Sequence, residues 1–437
     1  MKDIDWLRNK DLEYKKKVLH FADVSTLNLV EKFGTPIYVI SELMIRKRYH
    51  ELKQLLDSVY KKNQIYFAVK SNSNLSILKI LNSEGSNFDC SSTGEIYTCF
   101  CAGISPDQII YTGNMFTNDD FEFSIENNIL INLDSISQLE RLVKIYENRG
   151  KEKDIISFRF NPEFGAGHHP HTITAGKEIK FGILEEQITK AYSKAKNLGF
   201  KKFGIHQHIG SGIINPKDFH KPAEKFLFII KKIAQTLNIQ FEFVDFGGGI
   251  GIPYHLEEES IDLRRYSDIL FTGFKELVEK GIIGEPFLFI EPGRYISAES
   301  CILLTQINTI KDNGYKVFAG INAGFNTLIR PTMYGSYHHI IPCNEKSEKK
   351  LETYDIVGPI CESGDIIGKS RTLPELIEGD YLAILDAGAY GFTMSSNYNS
   401  RPRPAEILLS NGQSFKIRNE ESYDDLIRND IIPDYLK

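Results

Sequence analysis

The stretch "YFAVKSNSN", residues 66–74, places one lysine, Lys70, between an apolar run and a polar, turn-forming run. The apolar residues predict a buried strand, and the serines and asparagines that follow predict its end. An amine at the end of a buried strand is either a solvated cap or a Schiff-base nucleophile tuned by its surroundings. Neighbouring segments of the chain are needed to decide between these two interpretations.

Similar strand-like runs recur along the chain. In order, they are "QIYFAVK", "SNFDCSS", "QIIYTG", "ILINLDS", "DIISFRFNP", "FGIHQHIG", "FEFVDFGGG" and "PFLFIEPGR". Amphipathic segments such as "NLSILKILNSEG", "SISQLERLVKIYENRG" and "PAEKFLFIIKKIAQTLN" lie between them, with glycine or asparagine near their ends. Strand and helix in alternation, with eight strands in all, predict an α/β fold, a (β/α)8 TIM barrel over residues 40–285.

The C-terminal part of the chain has a different pattern. After about residue 290, strand-like runs such as "CILLTQINTIKD", "YKVFAGINA" and "DYLAILDAGAYGF" appear without regular helices between them. We therefore predict a second, mostly β domain formed by residues 286–437, and we group residues 1–39 with it.

Composition narrows the class of protein. The 437 residues are 41% hydrophobic and 25% charged, which is typical of a folded chain of two domains. A net charge of −6 and the lack of long basic runs argue against a nucleic-acid partner. Without a signal-like segment or a membrane-spanning apolar run, we expect a cytoplasmic protein with a small-molecule partner and no membrane partner. Six cysteines without CxxC spacing predict free thiols rather than disulfides or a zinc site.

Polar residues collect at the ends of the predicted strands. In a TIM barrel, the active site lies at the C-terminal ends of the strands. The residues predicted to lie there are Lys70, Asp89, Asp134, Arg159, His208, Gly247, Gly248, Gly249, Glu291 and Arg294.

Two short motifs indicate what such a site would bind. "FGGGIG", residues 246–251, follows the seventh strand, where this fold usually binds phosphate, although a plain tight turn has the same sequence. "IEPGR", residues 290–294, supplies Glu291 and Arg294 and is either a surface ion pair or part of a cofactor site. If the ligand is pyridoxal phosphate, a carboxylate beside the pyridine nitrogen keeps that nitrogen protonated and makes the ring an electron sink.

Histidines raise the possibility of a metal. "HQHIGSG", residues 206–212, has two histidines on one strand face, and "HHPH", residues 168–171, lies in a predicted loop. No third ligand stands at a defined spacing, so we predict no metal site and expect the loop histidines to be solvated. His208 is instead placed to stack on a planar cofactor.

Taken together, the sequence resembles the fold-type III pyridoxal-phosphate decarboxylases over nearly its whole length. The segments that carry the resemblance are "YFAVKSNSN", "FDCSSTGE", "NPEFGAGHHPHTITAGKEIKFGI", "HQHIGSG", "FGGGIGIPY", "EPGR", "NAGFNTLIRPTMYGSYHHI", "GPICESGD" and "GAYGFTMSSNYNSRPRPAEIL". The resemblance implies a barrel of the alanine-racemase type and pyridoxal 5′-phosphate as cofactor. It is strongest to the members that convert meso-diaminopimelate to L-lysine and CO2.

The resemblance also implies a role for individual residues. Lys70 would bind the cofactor covalently, His208 would lie against its ring, and Glu291 would face the pyridine nitrogen. The remaining cofactor-binding residues would be Asp89, Ser211, Gly248, Gly249, Gly293, Arg294 and Tyr390. The substrate-binding residues would be Arg294, Arg330, Tyr334, Glu362 and Tyr390.

In this family, the residues matching Cys361 and Glu362 belong to the neighbouring subunit's site, which implies a homodimer with shared sites. Cys361 would donate a proton to the substrate α-carbon. Alternatives within the fold are a decarboxylase of ornithine, lysine, arginine or a carrier-bound amino acid. An amino-acid racemase is disfavoured because Glu291 stands where racemases typically have arginine, and a non-catalytic protein is disfavoured because Lys70 and Cys361 are both present.

Overall fold

A computed structural model describes residues 2–345 and 350–437 of the chain. The chain divides into two compact units. The barrel unit comprises Arg46–Pro253 and Glu259–Ile296, and the β-rich unit comprises Met1–Ile45, Tyr254–Glu258 and Ser297–Lys437.

The N-terminal segment of the β-rich unit contributes two helices and four strands. They are α1 (Lys2–Asn9), β1 (Leu12–Lys15), β2 (Val18–Phe21), β3 (Val24–Ser25), α2 (Thr26–Phe33) and β4 (Ile37–Ser41). Helix α3 (Glu42–Val59) then runs across the boundary between the units.

All eight predicted barrel strands are confirmed. They are β5 (Asn63–Ala68), β6 (Asn87–Cys90), β7 (Ile109–Tyr111), β8 (Leu130–Leu133), β9 (Ile155–Phe160), β10 (Lys202–Gln207), β11 (Phe243–Asp245) and β12 (Phe287–Ile290). They form a closed parallel barrel in which β12 pairs with β5. Because β12 begins after residue 285, the predicted end of the barrel at 285 is too early. The apolar run that closes the barrel continues to the "EPGR" turn.

Helices α4 to α10 accompany the barrel strands. They are α4 (Leu75–Ser83), α5 (Thr93–Cys101), α6 (Asn118–Glu126), α7 (Ile136–Asn148), α8 (Glu185–Asn197), α9 (His220–Leu237) and α10 (Leu263–Glu279). Polar residues begin several of them: the Asn74 side chain accepts a hydrogen bond from the Ser76 N–H, and the Ser135 side chain accepts one from the Gln138 N–H. Asn238 ends α9 in the left-handed conformation, which asparagine tolerates better than most residues.

Aromatic side chains fill part of the barrel interior. Phe243 stacks on Phe289 with ring centroids 4.8 Å apart, and Tyr66 lies 4.6 Å from Phe289. On the neighbouring strand, a Cβ at Gly204 would lie 2.1 Å from the Phe243 ring. Glycine at this position therefore makes room for the aromatic layer, so the barrel is packed rather than open.

The rest of the β-rich unit follows a short helix, α11 (Arg294–Ser297), that spans the boundary. Its elements are β13 (Cys301–Asp312), β14 (Val317–Ile321), α12 (Arg330–Tyr334), β15 (Ile340–Pro342), β16 (Leu351–Val357), β17 (Ile366–Pro374), β18 (Tyr381–Ile384), β19 (Ala405–Ser410), β20 (Gln413–Arg418) and α13 (Tyr423–Ile427). Strand β4 lies between β13 and β19 in the large sheet, so the N-terminal segment is a central part of this unit.

A buried charge cluster fixes the N-terminal segment inside the β-rich unit. The Lys10 ammonium is 2% exposed and donates to Glu299 and to Asp386, each over 2.8 Å. Two carboxylates share one cation, so one of them carries an uncompensated charge whenever both are ionised. Burial, together with the Glu299 charge, outweighs the opposing effect of Lys10 and raises the pKa of Asp386 to about 6.

The cysteines and the helices bear on two further predictions. All six cysteines lie in the described ranges and are free thiols, as predicted. Among the described helices, we find none with the length and apolar character that a membrane span requires.

Candidate active site

The lysine of the opening stretch lies at the carboxyl end of β5. It sits in a short turn, Val69–Ser71, and its Nζ donates to Asp89 Oδ2 over 2.7 Å. Asp89 is fully buried in β6, whereas the Lys70 side chain is 34% exposed. The amine is therefore anchored by a buried carboxylate and still reachable from the barrel mouth.

The surroundings of Asp89 disfavour its ionised form. Burial and the nearby Glu291 carboxylate raise its pKa, and these effects outweigh the opposing effect of the Lys70 ammonium. Its second oxygen, Oδ1, is buried without a hydrogen-bond partner among the described residues. Such an oxygen indicates a place where a further donor can bind.

Glu291 follows β12 and lies at the centre of a buried network. Its Oε2 is 3.0 Å from His206 Nε2, and its Oε1 accepts from the Thr112 hydroxyl over 3.2 Å. Burial by itself would raise the pKa of Glu291, but the charge and hydrogen bond of His206 and the charge of Lys70 lower it overall. The carboxylate is therefore ionised at neutral pH and can stabilise a positively charged group placed beside it.

Asp245, at the end of β11, is a second buried carboxyl beside Glu291. One carboxylate oxygen of Asp245, one of Glu291 and one ring nitrogen of His206 lie within 4.8 Å of one another. Burial and the Glu291 charge raise the pKa of Asp245 well above its usual value, which favours the protonated carboxyl. Its Oδ1 accepts from the Gly247 N–H over 2.8 Å, which orients the glycine turn.

The turn at Gly247–Gly249 requires glycine. Gly247 and Gly249 have φ of +69° and +109°, and a Cβ at Gly248 would lie 2.2 Å from the Glu291 carbonyl oxygen. Backbone, rather than a flexible side chain, blocks that position. The turn therefore brings main-chain atoms close to the site in a way that no other residue type allows.

His208 lies beside this turn, two residues after His206. Its Nδ1 accepts a hydrogen bond from the Gly248 N–H over 3.1 Å, so the ring proton of the neutral form is on Nε2. Burial, followed by the charges of Arg159 and Lys70, lowers the pKa of His208 well below its usual value. A neutral ring at this position can pack against a planar ligand without adding charge.

A buried guanidinium lies beside Ser211. Arg294 is 4% exposed, and its Nε and Nη2 donate to the Ser211 hydroxyl over 3.3 and 3.2 Å. Gly293 precedes it, and a Cβ there would lie 2.9 Å from the Ser71 side chain. The "EPGR" turn thus packs directly on the turn that carries Lys70, and the guanidinium and hydroxyl form a group of donors suited to an anion.

The remaining strand-end residues predicted from the sequence support this arrangement. Arg159 is buried in β9 and donates to the carbonyls of Thr174 and His208, and burial raises the pKa of Asp134 after β8. The histidine-rich loop packs on the "HQHIGSG" segment: the His168 N–H donates to the Ser211 carbonyl over 3.2 Å. Its rings at 168 and 171 are exposed, in agreement with the expectation of solvation.

The residues present fit pyridoxal phosphate. Lys70 supplies an amine for the aldehyde, and the ionised Glu291 carboxylate suits a protonated ring nitrogen. Ser211, Arg294 and the glycine turn suit a phosphate dianion. The unpartnered Asp89 oxygen gives a further acceptor inside the barrel.

In the β-rich unit, Arg330 begins α12 and is 1% exposed. Its guanidinium donates to the Tyr254 hydroxyl over 2.9 Å and to the Ser336 hydroxyl over 3.3 Å, and Nη1 lies 3.3 Å from His338 Nε2. Tyr334, at the other end of α12, is half-buried.

The loop "GPICESGD", residues 358–365, presents Cys361 and Glu362 on the surface of the β-rich unit. Asp365 holds the loop because its carboxylate accepts from the N–H groups of Phe325 and Ile360 over 2.6 and 2.8 Å. The Thr332 hydroxyl on α12 donates to the Gly364 carbonyl over 3.0 Å. The loop and the Arg330 helix are therefore joined within one unit. Tyr390, in the same unit, has φ of +58°.

A family model described as "Pyridoxal-dependent decarboxylase, pyridoxal binding domain" matches residues 43–298. The chain belongs to the pyridoxal-dependent decarboxylase family. It is a carboxy-lyase, its cofactor is pyridoxal phosphate, and its substrate is an amino acid.

Relatives of this decarboxylase cover almost its full length. It is 45% identical to diaminopimelate decarboxylase of Methanothermobacter thermautotrophicus over 97% of this chain and 98% of that one. The solved structure of diaminopimelate decarboxylase from Methanocaldococcus jannaschii has a TM-score of 0.91 at 34% identity, covering 98% of this chain and 99% of that one. The structure from Helicobacter pylori complexed with L-lysine has a TM-score of 0.85 at 35% identity, covering 92% and 98%.

Sequence reasoning missed one residue of the decarboxylase site and gave no role to another. Asp245 stands two residues before the glycine turn, in a run that predicted only a strand, and its burial beside Glu291 is not visible in the pattern. His206 was noted as one of a pair, but its bond to Glu291 joins residues 85 positions apart. Both residues are titratable and lie at the C-terminal end of a barrel strand, where this fold places its active site. That position is the signal by which the sequence could have identified them.

Proposed function

We propose that this decarboxylase removes the carboxylate at the D-centre of meso-2,6-diaminopimelate, giving L-lysine and CO2. The observation that carries the proposal is the set of relatives named diaminopimelate decarboxylase, which reach 45% identity over 97% of the chain. Lysine bound to the Helicobacter pylori relative matches the product expected here.

Several residues of the barrel unit would hold the cofactor. Lys70 would bind it covalently, and Asp89, His208 and Glu291 would surround its ring. Ser211, Gly248, Gly249, Gly293 and Arg294 would hold its phosphate, with Tyr390 contributing from the β-rich unit. Pyridoxal phosphate, when bound, supplies an electron sink for the pair left on the α-carbon as CO2 departs.

The residues of this chain then control charge and protons. Glu291 is ionised because its pKa is lowered, and it would stabilise a proton on the ring nitrogen of the cofactor. His208 remains neutral, because its pKa is lowered too. Cys361 would give its thiol proton to the α-carbon.

Substrate selection would depend on the groups remote from the α-carbon that loses CO2. Diaminopimelate carries a second carboxylate and a second amine, which lysine, ornithine and arginine do not combine. We assign the remote carboxylate to Arg294, Arg330 and Tyr334, and the remote amine to Glu362. The exposure of Cys361 and Glu362 supports a homodimer in which each subunit lends these two residues to its partner's site.

The test is a substrate panel. Purified enzyme with pyridoxal phosphate is supplied with meso-diaminopimelate, lysine, ornithine and arginine, and CO2 and amine products are measured. We expect meso-diaminopimelate to be preferred by at least 30-fold in kcat/KM, because a substrate without the second carboxylate lacks the charged group that Arg330 would bind, a loss of roughly 2–5 kcal/mol. Equal turnover of ornithine or lysine would make the alternative substrate class correct.

Two controls accompany the panel. Borohydride treatment should attach the cofactor to Lys70 and to no other lysine. Arg330→Lys should retain folding and part of the preference for diaminopimelate, whereas Arg330→Met should lose the preference and retain the absorbance of the bound cofactor. Loss of the cofactor in both variants would indicate that Arg330 is structural.

A further inference from the structure

Two consecutive residues, Tyr398 and Asn399, contact the two consecutive residues Cys361 and Glu362. The Asn399 amide makes two hydrogen bonds to Cys361: its Oδ1 accepts from the backbone N–H over 3.1 Å, and its Nδ2 donates to Sγ over 3.2 Å. The Tyr398 hydroxyl donates to Glu362 Oε1 over 2.8 Å. One short segment thus contacts both functional side chains of the loop.

The backbone of this segment is built for the contact. Asn399 has φ of +57°, a left-handed conformation in which asparagine is one of the few favourable residues besides glycine. The Tyr398 ring stacks on Phe325, with centroids 5.7 Å apart and an interplanar angle of 20°. Phe325 is itself held by Asp365, the residue that also anchors the cysteine loop.

The direction of the hydrogen bond to sulfur has a chemical consequence. Because Asn399 Nδ2 is the donor, the thiol hydrogen of Cys361 is not used in this contact and can point elsewhere. A donor aimed at Sγ stabilises the thiolate more than the thiol, because hydrogen bonds to charged acceptors are stronger. The neighbouring Glu362 carboxylate has the opposite effect on the thiol, and the Tyr398 hydroxyl bonds that carboxylate.

We infer that Asn399 is a positioning residue that orients the Cys361 thiol and stabilises the thiolate left after proton transfer, with Tyr398 doing the same for Glu362. This inference rests on the proposed role of Cys361 as proton donor. The S–H bond breaks, its proton forms the new C–H bond at the substrate α-carbon, and the electron pair stays on sulfur. The thiolate accepts from Asn399 Nδ2 until solvent returns a proton.

Three variants of the holoenzyme separate these roles. Asn399→Asp keeps the acceptor for the Cys361 N–H and suits the left-handed backbone, but it replaces the donor to sulfur with a carboxylate. Asn399→Gly keeps the backbone conformation and removes both bonds. Asn411→Gly is the matched control, because Asn411 also has a positive φ, +51°, and lies in the exposed turn between β19 and β20.

The first measurement is the rate at which iodoacetamide alkylates Cys361 as a function of pH, located by peptide mass spectrometry. Asn399→Asp should shift the pH midpoint upward most, and Asn399→Gly should shift it upward less. Asn411→Gly should match the wild type. The second measurement is steady-state kinetics, in which kcat should fall roughly 10- to 100-fold in both Asn399 variants while the cofactor absorbance is unchanged.

Unaltered alkylation profiles in both Asn399 variants would overturn the inference, as would equal shifts in Asn411→Gly. Alkylation does not depend on which amino acid is the substrate. A wild-type enzyme that fails to decarboxylate diaminopimelate but shows the alkylation shifts would therefore disprove the proposed function and leave the Asn399 contact to the thiol established.

Discussion

At the scale of single residues, the barrel site shifts the pKa values of two neighbouring carboxyl groups in opposite directions. Glu291 and Asp245 are both fully buried side by side, and the partners of each decide its charge. His206 and Lys70 stabilise the Glu291 charge, whereas burial and the Glu291 charge raise the pKa of Asp245. Two acidic side chains of similar chemistry therefore have different functions.

Substitution by the matching amides should reveal this difference. Glu291→Gln removes an ionised group, so we expect kcat to fall at least 100-fold while the cofactor still binds to Lys70. Asp245→Asn keeps the uncharged form that the raised pKa of Asp245 favours, and its amide can still donate to Glu291, so we expect less than a tenfold loss. Steady-state kinetics and cofactor absorbance at neutral pH measure both. Equal losses would mean that Asp245 is ionised.

The Lys10 cluster gives a second prediction at this scale. The pKa of Asp386 is raised from 3.8 in the unfolded chain to about 6 in the folded protein. The folded protein therefore binds more protons between these values, and the contribution of Asp386 to stability falls as the pH rises through that window, by roughly 3 kcal/mol at most. Asp386→Asn should remove this pH-dependent loss of stability. The melting temperature of the variant minus that of the wild type should therefore rise by several degrees from pH 4 to pH 7.5.

Two further variants test the origin of that effect. Lys10→Met leaves two buried carboxylates without their cation, and we expect destabilisation of roughly 3–5 kcal/mol, seen as a much lower melting temperature at pH 7.5. Asp424→Asn changes an exposed acid in α13 and should leave the melting curve unaltered at both pH values. A pH-independent difference between Asp386→Asn and the wild type would contradict the assignment.

At the scale of elements, the glycine turn after β11 is the feature most sensitive to substitution. Gly248→Ala places a methyl group 2.2 Å from the Glu291 carbonyl oxygen, so the turn or the "EPGR" segment must move. We expect the dissociation constant for pyridoxal phosphate to rise at least tenfold, measured by titration of the cofactor-free protein. Gly320→Ala in β14 is the control, because its nearest neighbouring atom would be 3.5 Å away. Unchanged affinity in Gly248→Ala would show that the turn does not hold the cofactor.

The secondary structure was predictable to the extent that it depends on local patterns. The eight barrel strands, the asparagine and serine caps and the long strand Cys301–Asp312 follow from periodicity and turn residues. The position of β4 in the middle of the β-rich sheet does not, because its partners β13 and β19 lie hundreds of residues away. The same limit applies to the site. Lys70 and the glycine turn stand out in the sequence, but the pairing of His206 with Glu291 arises only when the barrel closes.

At the scale of the whole molecule, the proposed chemistry is divided between the two units. Lys70 and Glu291 belong to the barrel unit, whereas Cys361, Glu362 and Arg330 belong to the β-rich unit. We propose that each subunit of a homodimer lends Cys361 to its partner's site. In a mixed dimer, the Cys361→Ala subunit then supplies an intact Lys70 and the Lys70→Ala subunit supplies an intact Cys361, so one of the two sites is complete. Mixing Lys70→Ala protein with Cys361→Ala protein under exchange conditions should then restore activity.

The amount restored is fixed by counting sites. Random exchange makes half of the dimers mixed, and one of their two sites is intact, so about one quarter of wild-type activity is expected. Mixing Lys70→Ala with Glu291→Gln is the control: both changes lie in the barrel unit, so every site in every mixed dimer carries one defect and no activity should return. No recovery in the first mixture despite heterodimers proven by native mass spectrometry would place Cys361 in the site of its own subunit. Recovery in the control would mean that Lys70 and Glu291 do not serve the same site.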